Sequence, residues 1–219
     1  NMPCAGPVFG LAVARNFIAT GGFEKGLVVG ADKMSSLFDK SDFKAAGLFG
    51  DGAGAVVLSS DNRLGILDYY LGSAGEKGDE KDFALKVLGG LAKHPTSQYT
   101  LERNWHLLQM NHKKIESFAI EKMAFSITHL LEKASFSPQD ISYIVPHQAA
   151  KGLVLAATRK AGFPDEKVAF SIENYGNTSS ASILITLDVL AKKGIQQGEK
   201  LILTGMGGGL NWGSILVEW

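Results

Sequence analysis

Two glycine-rich runs constrain the fold of this chain more than any other feature, because each leads into a strand and not into a helix. The first, Phe49-Gly50-Asp51-Gly52-Ala53-Gly54, opens onto Ala55-Val56-Val57-Leu58; the second, Gly205-Met206-Gly207-Gly208-Gly209, joins strands expected over residues 200–204 and 213–218. A glycine-rich phosphate loop must follow a strand and open a helix, so neither run reads as a nucleotide site. Each closes a series of alternating elements on a last strand, which predicts an α/β chain built from a duplicated unit. The second run also suits a loop whose backbone N–H groups approach a substrate oxygen closely.

The other elements follow from periodicity. Val8, Leu11, Ala12, Ala14, Phe17 and Ile18 form a helical stripe ending before Gly21-Gly22, with Pro7 in its first turn, where a missing N–H does no harm. Residues 26–31 (GLVVGA) read as a buried strand, 32–47 as a polar loop and 63–71 as another strand. Residues 72–111 form the least regular stretch, expected to be either a loop that shapes substrate access or an exposed insertion. Ile115, Phe118, Ala119, Met123, Ile127, Leu130 and Leu131 mark an amphipathic helix whose stripe reads as core. Residues 141–145 then read as a strand, 149–161 as a helix, 168–172 as a strand and 182–193 as a helix. These elements divide into 1–71 as the remainder of an N-terminal half, 72–111 as a connecting loop, and 112–219 as a C-terminal half.

Composition narrows the function. The chain of 219 residues is 45% hydrophobic and carries 22 basic and 22 acidic residues, so no charge excess points to nucleic acid or an anionic membrane. One cysteine excludes an internal disulfide, the five histidines form no HExxH pair, and neither a metal nor a cofactor is expected. No apolar run reaches membrane-spanning length, so no membrane partner is expected and a reducing cytoplasm is the default compartment. The opening Asn1-Met2-Pro3-Cys4, with no strand or cap before a functional-looking loop, reads as part of a longer protein.

Three residues carry candidate chemistry. Cys4 stands at a helix start, where unpaired N–H groups and the helix dipole favour a thiolate. His147 ends a strand in Pro146-His147-Gln148-Ala149, and Asn177 follows a strand in Asn174-Tyr175-Gly176-Asn177-Thr178-Ser179. Open α/β sheets place their sites beyond strand C-terminal ends. Singly, a cysteine is a small apolar residue and a histidine a satisfied polar group; together, a thiolate can take an acyl group while an imidazole and a carboxamide donate to a developing enolate oxygen.

Six stretches in order resemble the thiolase superfamily, most closely the β-ketoacyl-acyl carrier protein synthase III family: CAG at 4–6, LVVGAD at 27–32, LFGDGAGAVVL at 48–58, PHQA at 146–149, GNTSSAS at 176–182 and GGGLNWGS at 207–214. The resemblance implies a five-layered αβαβα sandwich of two similar halves, the first incomplete here, in a homodimer. It implies that the missing strands come from upstream or from another polypeptide. It implies a transferase of fatty acid or related biosynthesis: decarboxylative Claisen condensation of an acyl-CoA with malonyl-acyl carrier protein or malonyl-CoA. Cys4 matches the acylated nucleophile, His147 and Asn177 the pair stabilising the enolate, and the backbone N–H groups of Cys4 and Gly208 the oxyanion hole. Two relatives of that activity stand beside it, acyl transfer to a non-malonyl acceptor and a non-catalytic partner subunit. Family members often read HQANxR where this chain has Ala150 and Gly152, and an arginine where it has Phe43; Lys44 and Lys151 are the expected substitutes in binding carrier protein or CoA.

Overall fold

The computed structural model describes residues 2–39, 41–42, 46–60, 65–76, 78–79, 82–90 and 92–219. Helix α1 (Gly6–Ala19) starts on Ala5 as N-cap, with Pro7 in its first turn as expected. Strands β1 (Lys25–Lys33) and β2 (Asp51–Ser59) pair antiparallel into a ribbon, Leu27 opposite Val57 and Gly30 opposite Gly54. The polar loop expected from residue 32 therefore begins later, and the first glycine run lies mostly inside β2 rather than ahead of it.

The second sheet has four strands in the order β3-β8-β7-β6, from β3 (Gly65–Ser73), β6 (Tyr143–Pro146), β7 (Lys200–Gly207) and β8 (Asn211–Glu218). β6 runs parallel to β7, while β8 is antiparallel to both β7 and β3. Thus β3, placed with the first half in the division above, is hydrogen-bonded to the last strand of the second. Two short strands, β4 (Leu85–Lys86) and β5 (Gln109–Met110), pair with each other around α2 (Gln98–Glu102), so the irregular stretch is a folded excursion.

Helices cover the four-stranded sheet on both faces. α3 (His112–Ala134), capped by the Asn111 side chain, packs on one face with α4 (Lys151–Lys160) against it; α1 and α6 (Ala181–Gly194) pack on the other. Side chains of a strand alternate between faces, and β7 divides accordingly. Ile202 and Met206 join the α3 core with Met123, Ile127 and Leu130, whereas Leu201 and Leu203 join the α1–α6 core with Val8, Leu11, Ile183 and Leu187. Burial on both faces explains why these strands read as continuous apolar runs.

The ribbon lies on the far side of α1 and α6, giving four layers: ribbon, helices, sheet, helices. Its inner face carries Val28, Gly30, Gly54 and Val56; its outer face carries Leu27, Val29 and Val57, each more than half exposed. Among the described residues no helix covers that outer face. Close approach explains Gly30 in the ribbon and Gly50 just ahead of β2: a Cβ on Gly30 would meet the Ser180 carbonyl oxygen at 2.4 Å, and one on Gly50 would meet that of Tyr175 at 2.0 Å. The strand expected over residues 168–172 is not formed. A single parallel bridge joins Val168 to Ile144, after which Ser171 starts the short helix α5 (Ile172–Tyr175). The Gln148 side chain, more than twenty residues earlier, instead accepts from the backbone N–H groups of Ser171 and Ile172.

Candidate active site

Cys4 sits one residue ahead of the α1 N-cap, in a turn closed by a hydrogen bond from the Gly6 N–H to the Pro3 carbonyl (3.0 Å). The second glycine run lies against it. A Cβ on Gly207 would stand 2.7 Å from the Cys4 Cβ and 3.1 Å from Sγ, so only glycine admits this contact. Gly208, matched above to the oxyanion hole, follows in the β7–β8 turn; its carbonyl accepts from Asn211 Nδ2 at 2.9 Å, and a Cβ there would face Leu85.

His147 directly follows β6, its backbone N–H donating to the Thr204 carbonyl at 2.8 Å. The residue is buried, and its Nδ1 is hydrogen-bonded to Ser182 Oγ at 2.7 Å, which leaves Nε2 for a substrate. Ser182 Oγ donates to the Ser179 carbonyl (2.8 Å) and accepts from the Gln148 N–H (3.3 Å). Asn177 is fixed from the first half of the chain: its N–H donates to the Leu48 carbonyl (2.8 Å), and its carbonyl accepts from the Gly50 N–H (3.0 Å). Its side-chain Oδ1 accepts from the Ser179 N–H at 2.9 Å, so the carboxamide presents its Nδ2 donor outward from that bond.

Ser179 is therefore where the three candidates meet. Its N–H holds Asn177, its carbonyl holds Ser182 and through it His147, and its Oγ lies 3.7 Å from the Cys4 Sγ. It is buried, and its φ of +50° is a left-handed conformation uncommon for a non-glycine residue. Strained backbone of this kind clusters at functional sites. Asp32, on the inner face of β1, completes the junction by accepting from Ser180 N (2.8 Å) and Ser180 Oγ (2.6 Å). Ser179, Ser182 and Asp32 were not singled out from sequence, although all three lie within the resembling stretches.

Electrostatics correct one expectation. Burial pushes the Cys4 thiol up to about 11, with Asp32 adding to the rise and the Ser179 hydroxyl opposing it. Desolvation of the charged form favours the thiol, opposite to the thiolate expected from the helix start. Burial likewise lowers His147 to about 4 against the pull of the Ser179 backbone and Asp32, so the imidazole is neutral. Cys4 itself is only half-buried.

Of the two candidate binding lysines, the described one, Lys151, pairs away from this junction. Lys151, at the start of α4, is exposed and pairs with Glu173 Oε1 at 2.6 Å, its ammonium 5.3 Å from the centroid of the Phe170 ring. Lys44 lies outside the described residues. Among the described residues no three His, Cys, Asp or Glu side chains group to hold a metal, and no helix is long and apolar enough to cross a membrane.

Comparison with known proteins places the chain in a family. The model of the 3-oxoacyl-[acyl-carrier-protein] synthase III family matches residues 1–75, and that of its C-terminal domain matches residues 131–219. A β-ketoacyl-[acyl-carrier-protein] synthase III of Clostridioides difficile is 39% identical over 217 residues, 99% of this chain and 65% of the relative. One from Chlorobium chlorochromatii is 35% identical over 222 residues, 100% of this chain and 67% of the relative. The crystal structure of 3-oxoacyl-(acyl carrier protein) synthase III from Pseudomonas aeruginosa superposes with a TM-score of 0.87 at 32% identity, covering 99% of this chain and 65% of that one. This chain spans about 65% of the length of the first of these relatives, and the layered fold is that of the thiolase-like condensing enzymes. The chain belongs to the 3-oxoacyl-[acyl-carrier-protein] synthase III family.

Proposed function

We propose that this protein is a transferase that joins an acyl-CoA to a malonyl-thioester, carried by acyl carrier protein or CoA, in fatty acid or related biosynthesis. The observation that carries the reading is the convergence of Cys4, His147 and Asn177 on Ser179, across segments far apart in sequence. In the first half-reaction Cys4 Sγ attacks the acyl-CoA carbonyl, the backbone N–H groups of Cys4 and Gly208 receive the oxyanion, and CoA leaves as the thiol with the proton Cys4 gives up. In the second, the malonyl carboxylate leaves as carbon dioxide. The electron pair that remains forms an enolate, whose oxygen takes hydrogen bonds from Asn177 Nδ2 and from His147 Nε2–H, the latter in the tautomer reached when the Ser182 hydroxyl turns from the Ser179 carbonyl to donate to Nδ1. The enolate carbon attacks the acyl-Cys4 carbonyl, and Cys4 departs as thiolate and is reprotonated.

A thiol held near pKa 11 is a poor nucleophile at neutral pH, so substrate binding has to supply the activation. No resident cofactor enters the scheme, CoA being part of the substrate. Lys44 and Lys151 are proposed to contact carrier protein or CoA, Lys151 exchanging Glu173 for a phosphate. The assembly proposed is a homodimer in the cytoplasm, an arrangement supported by the exposed apolar outer face of the ribbon.

The test is the intact mass of the protein after exposure to acetyl-CoA and longer acyl-CoAs, with carbon dioxide release from malonyl-thioester followed in parallel. An acyl adduct on Cys4 together with carbon dioxide release supports condensation. An adduct without carbon dioxide release supports transfer to a different acceptor, and no adduct with any acyl-CoA contradicts the reading.

A further inference from the structure

Gln148 is fully buried beside the site, and its side chain uses every hydrogen-bonding capacity it has. Nε2 donates to the Pro146 carbonyl (2.8 Å) and the Ala169 carbonyl (3.4 Å), while Oε1 accepts from the backbone N–H groups of Ser171 (3.1 Å) and Ile172 (3.2 Å). One carboxamide thus spans two chain segments: the end of β6, which delivers His147, and the start of α5, which delivers Asn177. Its own backbone N–H reaches Ser182 Oγ, the partner of His147 Nδ1. The ring of contacts closes through α6, since Thr186 Oγ1 donates to the Ser182 carbonyl (2.7 Å) and is hydrogen-bonded to Ser171 Oγ (2.7 Å).

We propose that Gln148 is a positioning residue that sets the spacing between His147 and Asn177. It touches neither the thiol nor the segment before α1, so its influence is confined to the enolate-stabilising pair. The physical reason for glutamine is specific: two carbonyls face one end of the side chain and two N–H groups face the other, and of the neutral side chains long enough to reach, only a primary amide offers donors at one end and an acceptor at the other. A buried amide left without partners is costly, which holds the clamp closed. The catalytic consequence rests on the condensing-enzyme reading above, but the clamp itself does not.

Two variants test it. Gln148→Leu removes all four bonds at similar length; Gln148→Glu keeps the shape and an acceptor, regains a donor only while protonated, and while ionised sets a carboxylate oxygen against the Pro146 and Ala169 carbonyls. The expected result for Gln148→Leu is Cys4 acylation by acyl-CoA within about twofold of the parent, with carbon dioxide release from malonyl-thioester reduced on the order of 10- to 100-fold, the scale expected of a misplacement near 1 Å. In Gln148→Glu the rate of carbon dioxide release should climb relative to the parent as pH falls, because protonation recovers the donor. Amide hydrogen exchange supplies a readout independent of activity: Ser171 and Ile172 should exchange faster in both variants at neutral pH, while β7 and β8 stay protected. If Gln148→Leu does not fold, Gln148→Glu carries the test alone. Equal losses in acylation and decarboxylation, no loss in either, or unchanged exchange at Ser171 and Ile172 would overturn the proposal. A parent protein that forms no acyl-Cys4 would instead count against the condensing-enzyme reading and leave the exchange result to decide the clamp.

Discussion

The β1–β2 ribbon and the β7–β8 hairpin are the same local device set in different surroundings. Both are antiparallel pairs with facing glycines, Gly30 opposite Gly54 in one and Gly205 opposite Gly213 in the other. The hairpin has a strand on each side and helices on each face, and from Leu201 to Ile215 nearly every strand residue is buried. The ribbon has no described strand beside it, and Leu27, Val29 and Val57 stand open on its outer face. What differs is tertiary cover, and what is shared is close approach: a glycine in or beside each pair admits a segment that carries the site. Gly50 and Gly30 admit the Tyr175 and Ser180 carbonyls; Gly207 admits Cys4. The site is therefore assembled at the junction between the ribbon side and the sheet side of the molecule.

Truncating a core side chain on the two devices gives the largest contrast. Ile202→Ala, in the fully buried hairpin, should cost about 2–5 kcal/mol in urea unfolding, whereas Leu27→Ala, with Leu27 66% exposed on the ribbon, should stay within about 0.5 kcal/mol. Similar losses would show that the ribbon face is covered in solution, which would break the contrast and identify a partner surface.

The pH dependence of stability sharpens it at the junction. Because His147 is depressed from 6.5 to about 4, the unfolded chain takes up this proton first as pH falls. The stability that goes with a neutral imidazole is present above pH 6.5 and lost as pH falls towards 4, by about 3 kcal/mol. Denaturation midpoints of the parent and of His147→Asn should converge over that window. Parallel curves would contradict the burial assigned to the ring.

A smaller effect is expected where the ribbon ties to α6. Asp32→Asn weakens the charge-assisted bonds to Ser180 and should cost about 1–3 kcal/mol. It also removes a negative charge that raises the Cys4 thiol, so alkylation of Cys4 by iodoacetamide at fixed pH should speed up. An unchanged rate would separate Asp32 from the thiol. The smallest change belongs to Lys151→Ala, whose ion pair with Glu173 is exposed on both sides; thermal melts should place it within about 1 kcal/mol, while a loss of affinity for carrier protein or CoA would support its binding role.

Much of this architecture was legible in the chain. The stripe from Ile115 to Leu131 gave α3, the Pro7 position gave the start of α1, and the failed phosphate-loop context of both glycine runs pointed to strands. Residues 168–172 misled because Val168, Ala169, Phe170 and Ile172 satisfy a short apolar run, while the bonds that divert Ser171 and Ile172 come from Gln148, more than twenty residues away. The direction of the Cys4 shift was unreadable for a similar reason. A helix start is a local feature, but the desolvation that opposes it is produced by surrounding segments such as Gly207, with Asp32 adding a distant charge. Cys4, His147 and Asn177 could be named from residue type and resemblance; Ser179 as their meeting point could not, because its three bonding groups serve three different segments.

The division of labour at that meeting point is the central claim, and one set of variants measures it directly. Cys4→Ala, His147→Ala and Asn177→Ala are each assayed for acyl-CoA labelling of the protein and for carbon dioxide release from malonyl-thioester. The account predicts that labelling disappears only in Cys4→Ala, and that decarboxylation falls in both His147→Ala and Asn177→Ala by about the 100- to 1000-fold expected on losing a donor to a developing oxyanion. Labelling that survives Cys4→Ala, or decarboxylation indifferent to His147 and Asn177, would contradict it.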